Sequence, residues 1–156
     1  MLATLLRVRF TRSPLLIALS AVFVCTLAIG SVHAGVRAER ARAKLFAFVN
    51  HYRVQHGEPK LRDRPAVDRI AWRHSEKMAD GRTLYHSISM WTKLRAYDPN
   101  TWGENVGMGP SVWSVFNGWV KSSPHRANML ASRFRSAGVG VVRSHGARWI
   151  TMIFYG

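Results

Sequence analysis

The 156-residue chain carries 23 Lys and Arg against 8 Asp and Glu, a formal charge of +15, with 47% apolar and 20% charged residues. That composition excludes a disordered, collagen-like or fibrous chain and fits one globular domain behind a short leader. Its single cysteine, Cys25, lies in the leader, which excludes a disulfide-stapled scaffold and leaves the rest of the chain without a thiol nucleophile.

In chain order, residues 1–34 come first. Arg7, Arg9 and Arg12 form a positive start, Leu15 to Ile29 is an apolar run, and Ser31-Val32-His33-Ala34 places small residues where a peptidase would cut before Gly35. The pattern reads as a secretory signal peptide. The rival reading is an N-terminal membrane anchor, for which the apolar run falls short of the roughly 20 residues a spanning helix needs. Both readings predict a secreted, extracellular or cell-envelope-associated protein. Beyond residue 34 the chain keeps 20 basic and all 8 acidic residues, a formal charge of +12. Such a surface is drawn to anionic cell-envelope polymers or lipid headgroups over about one Debye length, near 8 Å at physiological salt.

Residues 35–44 are a basic, Ala-rich lead-in, and residues 45–156 read as the domain. Leu45, Phe48, Val49 and Tyr52 recur at helical spacing, predicting an amphipathic helix stopped near Gly57. Asp63 is placed to cap a second helix with Pro65 in its first turn, apolar along Val67, Ile70, Ala71, His74 and Met78, and ended at Gly81. On its outer face Arg69, Arg73 and Lys77 lie beside Glu76 and Asp80, which reads as a solvated surface; without a helix-turn-helix or stacking aromatics, a nucleic-acid partner is poorly supported. Ser111 caps a third helix with the stripe Val112, Val115, Phe116 and Trp119, and a short fourth helix starts near Pro124, capped by Ser123, and ends by Ser132. Phe134 to Arg143 and Arg148 to Tyr155 read as strands joined by a hairpin at Ser144-His145-Gly146-Ala147. Helices followed by an antiparallel pair make an α+β pattern.

One set of residues carries chemistry. His86, Glu104 in Gly103-Glu104-Asn105, and His125 in Ser123-Pro124-His125-Arg126-Ala127-Asn128 are each separated by about one helix or loop, so two imidazoles and a carboxylate can close on one cation or one water.

These motifs, with Asn50-x-x-Arg53 in the first helix, Trp119 ahead of the second histidine and Gly138-Val139-Gly140 in the first strand, resemble the CAP superfamily of cysteine-rich secretory, antigen 5 and pathogenesis-related 1 proteins, also called the SCP domain, in its short bacterial form. The resemblance runs from about Leu45 to Gly156. It implies a three-layer α-β-α sandwich with a central antiparallel sheet, and hence a further strand around Asn105 to Met108. It also implies a cleft of two His and two Glu whose histidines can hold a divalent cation such as Zn²⁺. His86, Glu104 and His125 match three of these, and Ser122 stands where the second Glu would be. Asn50, Arg53, Gly103, Asn105, Trp119 and Asn128 match the structural part of the motif.

Two neutral imidazoles ligate Zn²⁺ at about 2.0–2.1 Å and leave positions open for water or ligand. Glu104 then completes the shell or bonds to metal-bound water, in the second case as general base of a metal-dependent hydrolase. Ser122, Ser123 and Ser87 also allow a Ser-His-Glu arrangement on paper. The alternative is structural: histidines that tie the Gly103 segment to the last helix. His74 reads as a core histidine with a satisfied hydrogen bond, His145 as a turn residue, and His51 and His56 as helix-end residues. Trp72, Trp113, Trp119 and Trp149 fall in patterned elements and read as core. Trp91 and Trp102, with Met90, Leu94 and Tyr97, form a candidate apolar groove, and family relatives that bind sterols or fatty acids make an extracellular lipid-binding protein the second functional reading. The first is a binding module with a His/Glu cleft.

Overall fold

The computed structural model describes residues 14–156 apart from Asp98, and side chains from residue 35 onward. The leader expected over residues 1–34 lies in its first thirteen positions outside the described residues. Among the described residues no helix is long and apolar enough to cross a membrane.

The elements are α1 (Pro14–Gln55), β1 (Arg62–Asp63), α2 (Pro65–Asp80), α3 (Met90–Leu94) running into a 3-10 turn (Arg95–Tyr97), β2 (Trp102–Gly109), α4 (Val112–Lys121), α5 (Ser123–Leu130), β3 (Ser136–Ser144) and β4 (Ala147–Tyr155). Residues Arg37–Gly156 form a compact unit. Its sheet has the order β1-β3-β4-β2, so β2 is an edge strand. β4 pairs antiparallel with both β3 and β2, with Glu104 opposite Ile153 and Val139 opposite Met152. The two-residue β1 joins β3 in parallel, so the sheet is mixed rather than wholly antiparallel.

Both faces of the sheet are covered, because β3 and β4 are apolar on both sides. On one face Val139, Val141, Ile150, Met152 and Phe154 pack under Leu45 and Val49 of α1, the α4 stripe Val112, Val115, Phe116 and Trp119, and Met129 of α5. On the other, Ile153 and Tyr155 pack under Val67 and Ala71 of α2 and Met90 and Leu94 of α3. This is the expected α-β-α sandwich. Helix α2 lies directly on β3: at Gly140 any Cβ would overlap the backbone of Ala71 and Trp72, and at Gly138 it would come within 2.5 Å of Val67. Ser75 Oγ is bonded to the Gly140 carbonyl at 3.1 Å within that contact and to Thr151 Oγ1 of β4 at 2.9 Å.

Among the described residues Arg53 is the largest fully buried side chain. It donates to the carbonyls of Pro59 (2.8 Å), Met129 (2.7 Å), Ala131 (3.1 Å) and Phe134 (3.3 Å), joining α1 to the segment between α5 and β3. Asn50 holds Leu61 by two bonds, donating to its carbonyl and accepting from its N–H.

The local expectations fare unevenly. Ser111 caps α4 through a capping box with Ser114, and Val112, Val115, Phe116 and Trp119 are buried as the spacing required. The hairpin turns through His145 (φ 51°) and Gly146 (φ 74°), the left-handed pair of a two-residue loop. The third strand appears as β2, longer than expected. The cap of α2 is corrected: Arg64, not Asp63, occupies it, and Asp63 instead accepts from Arg42 at 2.8 Å. The N-cap of α5 is Ser122 rather than Ser123. The lead-in 35–44 is helical, as part of α1. Trp72 and Trp113 are exposed, not core; only Trp119 and Trp149 of the four are buried. Each exposed tryptophan follows a core residue by one position, about 100° around the helix from the buried stripe.

Candidate functional site

The site lies across the free edge of the sheet at β2. His86 follows α2 and belongs to one helical layer, His125 sits on α5 in the other, and Glu104 is on the strand between them. The edge strand is finished by side chains instead of another strand. Asn128 Nδ2 donates to the Glu104 carbonyl (3.2 Å) and Trp119 Nε1 to the Val106 carbonyl (2.9 Å), while Asn105 Nδ2 donates to the His125 carbonyl (2.9 Å) and Asn105 Oδ1 accepts from Asn128 (3.0 Å). Buried polar groups need such partners, so these bonds fix α5 against β2. A Cβ at Gly103 would come within 2.9 Å of both Asn128 Oδ1 and Phe134, and one at Gly107 within 3.0 Å of the Trp119 indole nitrogen. The motif residues Asn105, Trp119, Asn128 and Gly103 are therefore the clamp that presents the site.

On that clamp each histidine is held through Nδ1. His86 Nδ1 donates to Glu104 Oε2 at 2.9 Å, and the same oxygen accepts the Ser87 N–H at 2.9 Å. His125 Nδ1 is hydrogen-bonded to Ser122 Oγ at 2.8 Å. Ser122, at the position where the resemblance expects a second Glu, thus does for His125 what Glu104 does for His86. Nε2 remains as the ring nitrogen facing away from each anchor. The two rings stack with centroids 6.4 Å apart and planes 28° from parallel, and the Trp119 ring lies 6.3 Å from that of His125 with planes 26° from parallel. Burial, and after it the neighbouring His86 ring, holds the His125 imidazole below the usual histidine range, which favours the neutral form that binds metals.

Glu104 is almost fully buried and His86 is 61% exposed along its side chain. The carboxylate is thus placed behind the imidazole, away from solvent, rather than beside a water in the cleft. Its second oxygen, Oε1, has no hydrogen-bond partner and faces His74 Nε2 at 3.7 Å. His74 itself is buried and bonds the Tyr85 carbonyl at 2.9 Å, as a core histidine should. The Ser-His-Glu arrangement drawn from the sequence is not assembled, because Ser122 bonds His125 while Glu104 bonds His86. Ser87 contributes its N–H to Glu104 and accepts from Lys93 at Oγ (3.0 Å). The expected apolar groove is also corrected: Met90 and Leu94 are wholly buried in the core, whereas Trp91, Tyr97 and Trp102 are exposed.

The donor set suits a divalent cation only in part. No cluster of three or more His, Cys, Asp or Glu side chains among the described residues is arranged to hold a metal. Two imidazoles with fixed Nδ1 partners do fit the pattern in which an outer carboxylate or hydroxyl orients a metal-binding ring. His86 and His125 would be the ligands, with Glu104 and Ser122 behind them. The carboxylate–histidine link depended on the course of the β2 edge and could not be read from spacing, but Ser122, at the N-cap of α5, lies three residues before His125, where contact was legible.

The model of the cysteine-rich secretory protein family, CAP, matches residues 46–154. The "uncharacterized membrane protein YlbC" of Bacillus subtilis is 30% identical over 113 residues, 65% of this chain but only 32% of that relative, so the chain spans about a third of its length. An extracellular SCP-domain protein from Bacillus anthracis superposes with a TM-score of 0.68 at 24% identity, covering 76% of this chain and 41% of the other. An outer surface protein of Borrelia burgdorferi superposes with a TM-score of 0.66 at 17% identity, covering 72% and 90%. At these identities the structures share the fold.

Proposed function

The chain belongs to the cysteine-rich secretory protein (CAP) family, and from that premise we propose that it is a binding module at the cell exterior whose paired imidazoles, His86 and His125, take up a divalent cation. The observation that carries the reading is the matched anchoring of the two rings: Glu104 holds one Nδ1 and Ser122 the other, at 2.9 and 2.8 Å. A bound cation supplies Lewis acidity and open coordination positions for a ligand. The chain's own residues do the rest. Glu104 fixes the His86 ring, Ser122 fixes His125, and burial favours the neutral form of His125. Two imidazoles with no third His, Cys, Asp or Glu ligand among the described residues would hold a cation exchangeably, which suits ligand capture better than a permanent structural metal.

Placement at the cell exterior is supported by the leader pattern of residues 1–34 and by the extracellular, outer-surface and membrane descriptions of the relatives. Calorimetric titration of the purified protein with Zn²⁺ tests the cation reading. One-to-one binding abolished by both His86→Ala and His125→Ala supports it. Absence of binding, or binding indifferent to both substitutions, leaves His86 as a structural tie between the segment after α2 and β2, and His125 as a tie within the first turn of α5.

A further inference from the structure

The geometry points to a second surface: the segment from Arg82 to Arg95 docks on an anionic lipid bilayer, with Ile88 and Trp91 entering the headgroup region. Four large apolar side chains stand out of eight consecutive residues here. Ile88 is fully exposed, and Trp91, Leu84 and Tyr85 are 50%, 45% and 43% exposed. Scattered exposed apolar residues are ordinary, but a run of them on one segment marks an interaction site. The backbone that carries them is pinned. The Ser87 N–H is bonded to buried Glu104, and Met90 and Leu94 are 1% and 0% exposed in the core under α3. Trp91, one residue after Met90 on that short helix, is consequently turned outward.

Charge selects the partner. Arg82 and Arg95 are exposed along the same segment, with Lys93 beside them bonded to Ser87 Oγ, and residues 35–156 carry a formal +12. Two copies of such a domain repel, which disfavours self-association through this patch. An anionic bilayer answers both features, since Trp and aliphatic side chains partition into the interface while Lys and Arg pair with its headgroups. No cation at the histidine pair is needed for this docking.

The test uses the full-length protein with its one cysteine removed (Cys25→Ser) and an environment-sensitive fluorophore on Ile88→Cys, in the presence of a chelator. Because the apolar residues 14–30 can themselves hold the chain on a bilayer, the readout is local to position 88. Vesicles of mixed phosphatidylglycerol and phosphatidylcholine should shift its emission to the blue and brighten it. Pure phosphatidylcholine should do so at least about tenfold more weakly, and 1 M salt, where the Debye length is about 3 Å, should remove the difference. Arg82→Glu with Arg95→Glu should weaken the charge preference at position 88, and the same label on Trp113→Cys should stay unchanged. An unchanged label at position 88 on vesicles that carry the protein down overturns the proposal. So does a shift of equal size at position 113, or one that depends on protein concentration without lipid and so reports self-association.

Discussion

Glu104 and His86 form the one carboxylate–imidazole bond of the site: Oε2 of the buried acid lies 2.9 Å from Nδ1 of the exposed ring. The acid thereby determines which nitrogen of His86 is turned to the cleft. Replacing Glu104 with Gln keeps the shape and an oxygen for the Ser87 N–H but weakens the orientation of the ring. Zn²⁺ affinity should fall by about 10–100-fold with the fold intact, as for other outer-shell partners of metal-binding histidines. Calorimetry with a circular-dichroism melt alongside checks it, and unchanged affinity would reduce Glu104 to a tie for the Ser87 loop.

Arg53 carries the opposite kind of polar burial, one guanidinium spread over four carbonyls. Arg53→Met leaves these acceptors without a donor in the core and should cost about 3 kcal/mol or more in urea unfolding. Arg53→Lys should recover little of that, since a single ammonium cannot reproduce the planar fork.

The contact between α2 and β3 depends on absent side chains. Gly140→Ala places a methyl group into the backbone of Ala71 and Trp72, with no flexible side chain to yield. Overpacking of this kind costs about 1–3 kcal/mol and more where backbone must move. The Tm should drop accordingly, whereas Gly118→Ala, where a Cβ meets open space, should be harmless.

Asp68 gives the fold a pH dependence. Burial pushes its carboxyl up to about 6, outweighing the Val139 N–H bond at 2.7 Å and the Arg42 guanidinium at 3.2 Å. The folded state therefore holds a proton that the unfolded state, with its carboxyl at 3.8, releases earlier. Between these two values stability contributed by this group is lost as pH rises. Asp68→Asn cannot titrate, so the stability of the native protein relative to this variant should fall between about pH 4 and about pH 6 and then level off, as read by urea unfolding across that range.

Much of the scaffold was legible because periodicity and caps agree with packing. Ser111 with Val112, Val115, Phe116 and Trp119 specified α4, and the two apolar runs around His145-Gly146 specified the hairpin. The motif residues Gly103, Asn105, Trp119 and Asn128 were recognisable, but their work as an edge clamp emerged only with β2 at the rim of the sheet. Elements too short to show a period escaped, namely β1 with two residues and α3 with five. Trp72 and Trp113 are exposed because helical phase, not hydrophobicity, decides which face of α2 and α4 is buried. Asp63 looked like a cap, yet Arg42, reaching down from α1, claims its carboxylate.

The most direct test of the paired-imidazole site is nitrogen NMR of the histidine side chains during Zn²⁺ titration. Nε2 of His86 and His125 should move together and saturate at one equivalent, while Nδ1 of His86 keeps the proton it donates to Glu104. Titration of His51, His56 or His145 instead, or a response from only one of the pair, would contradict it.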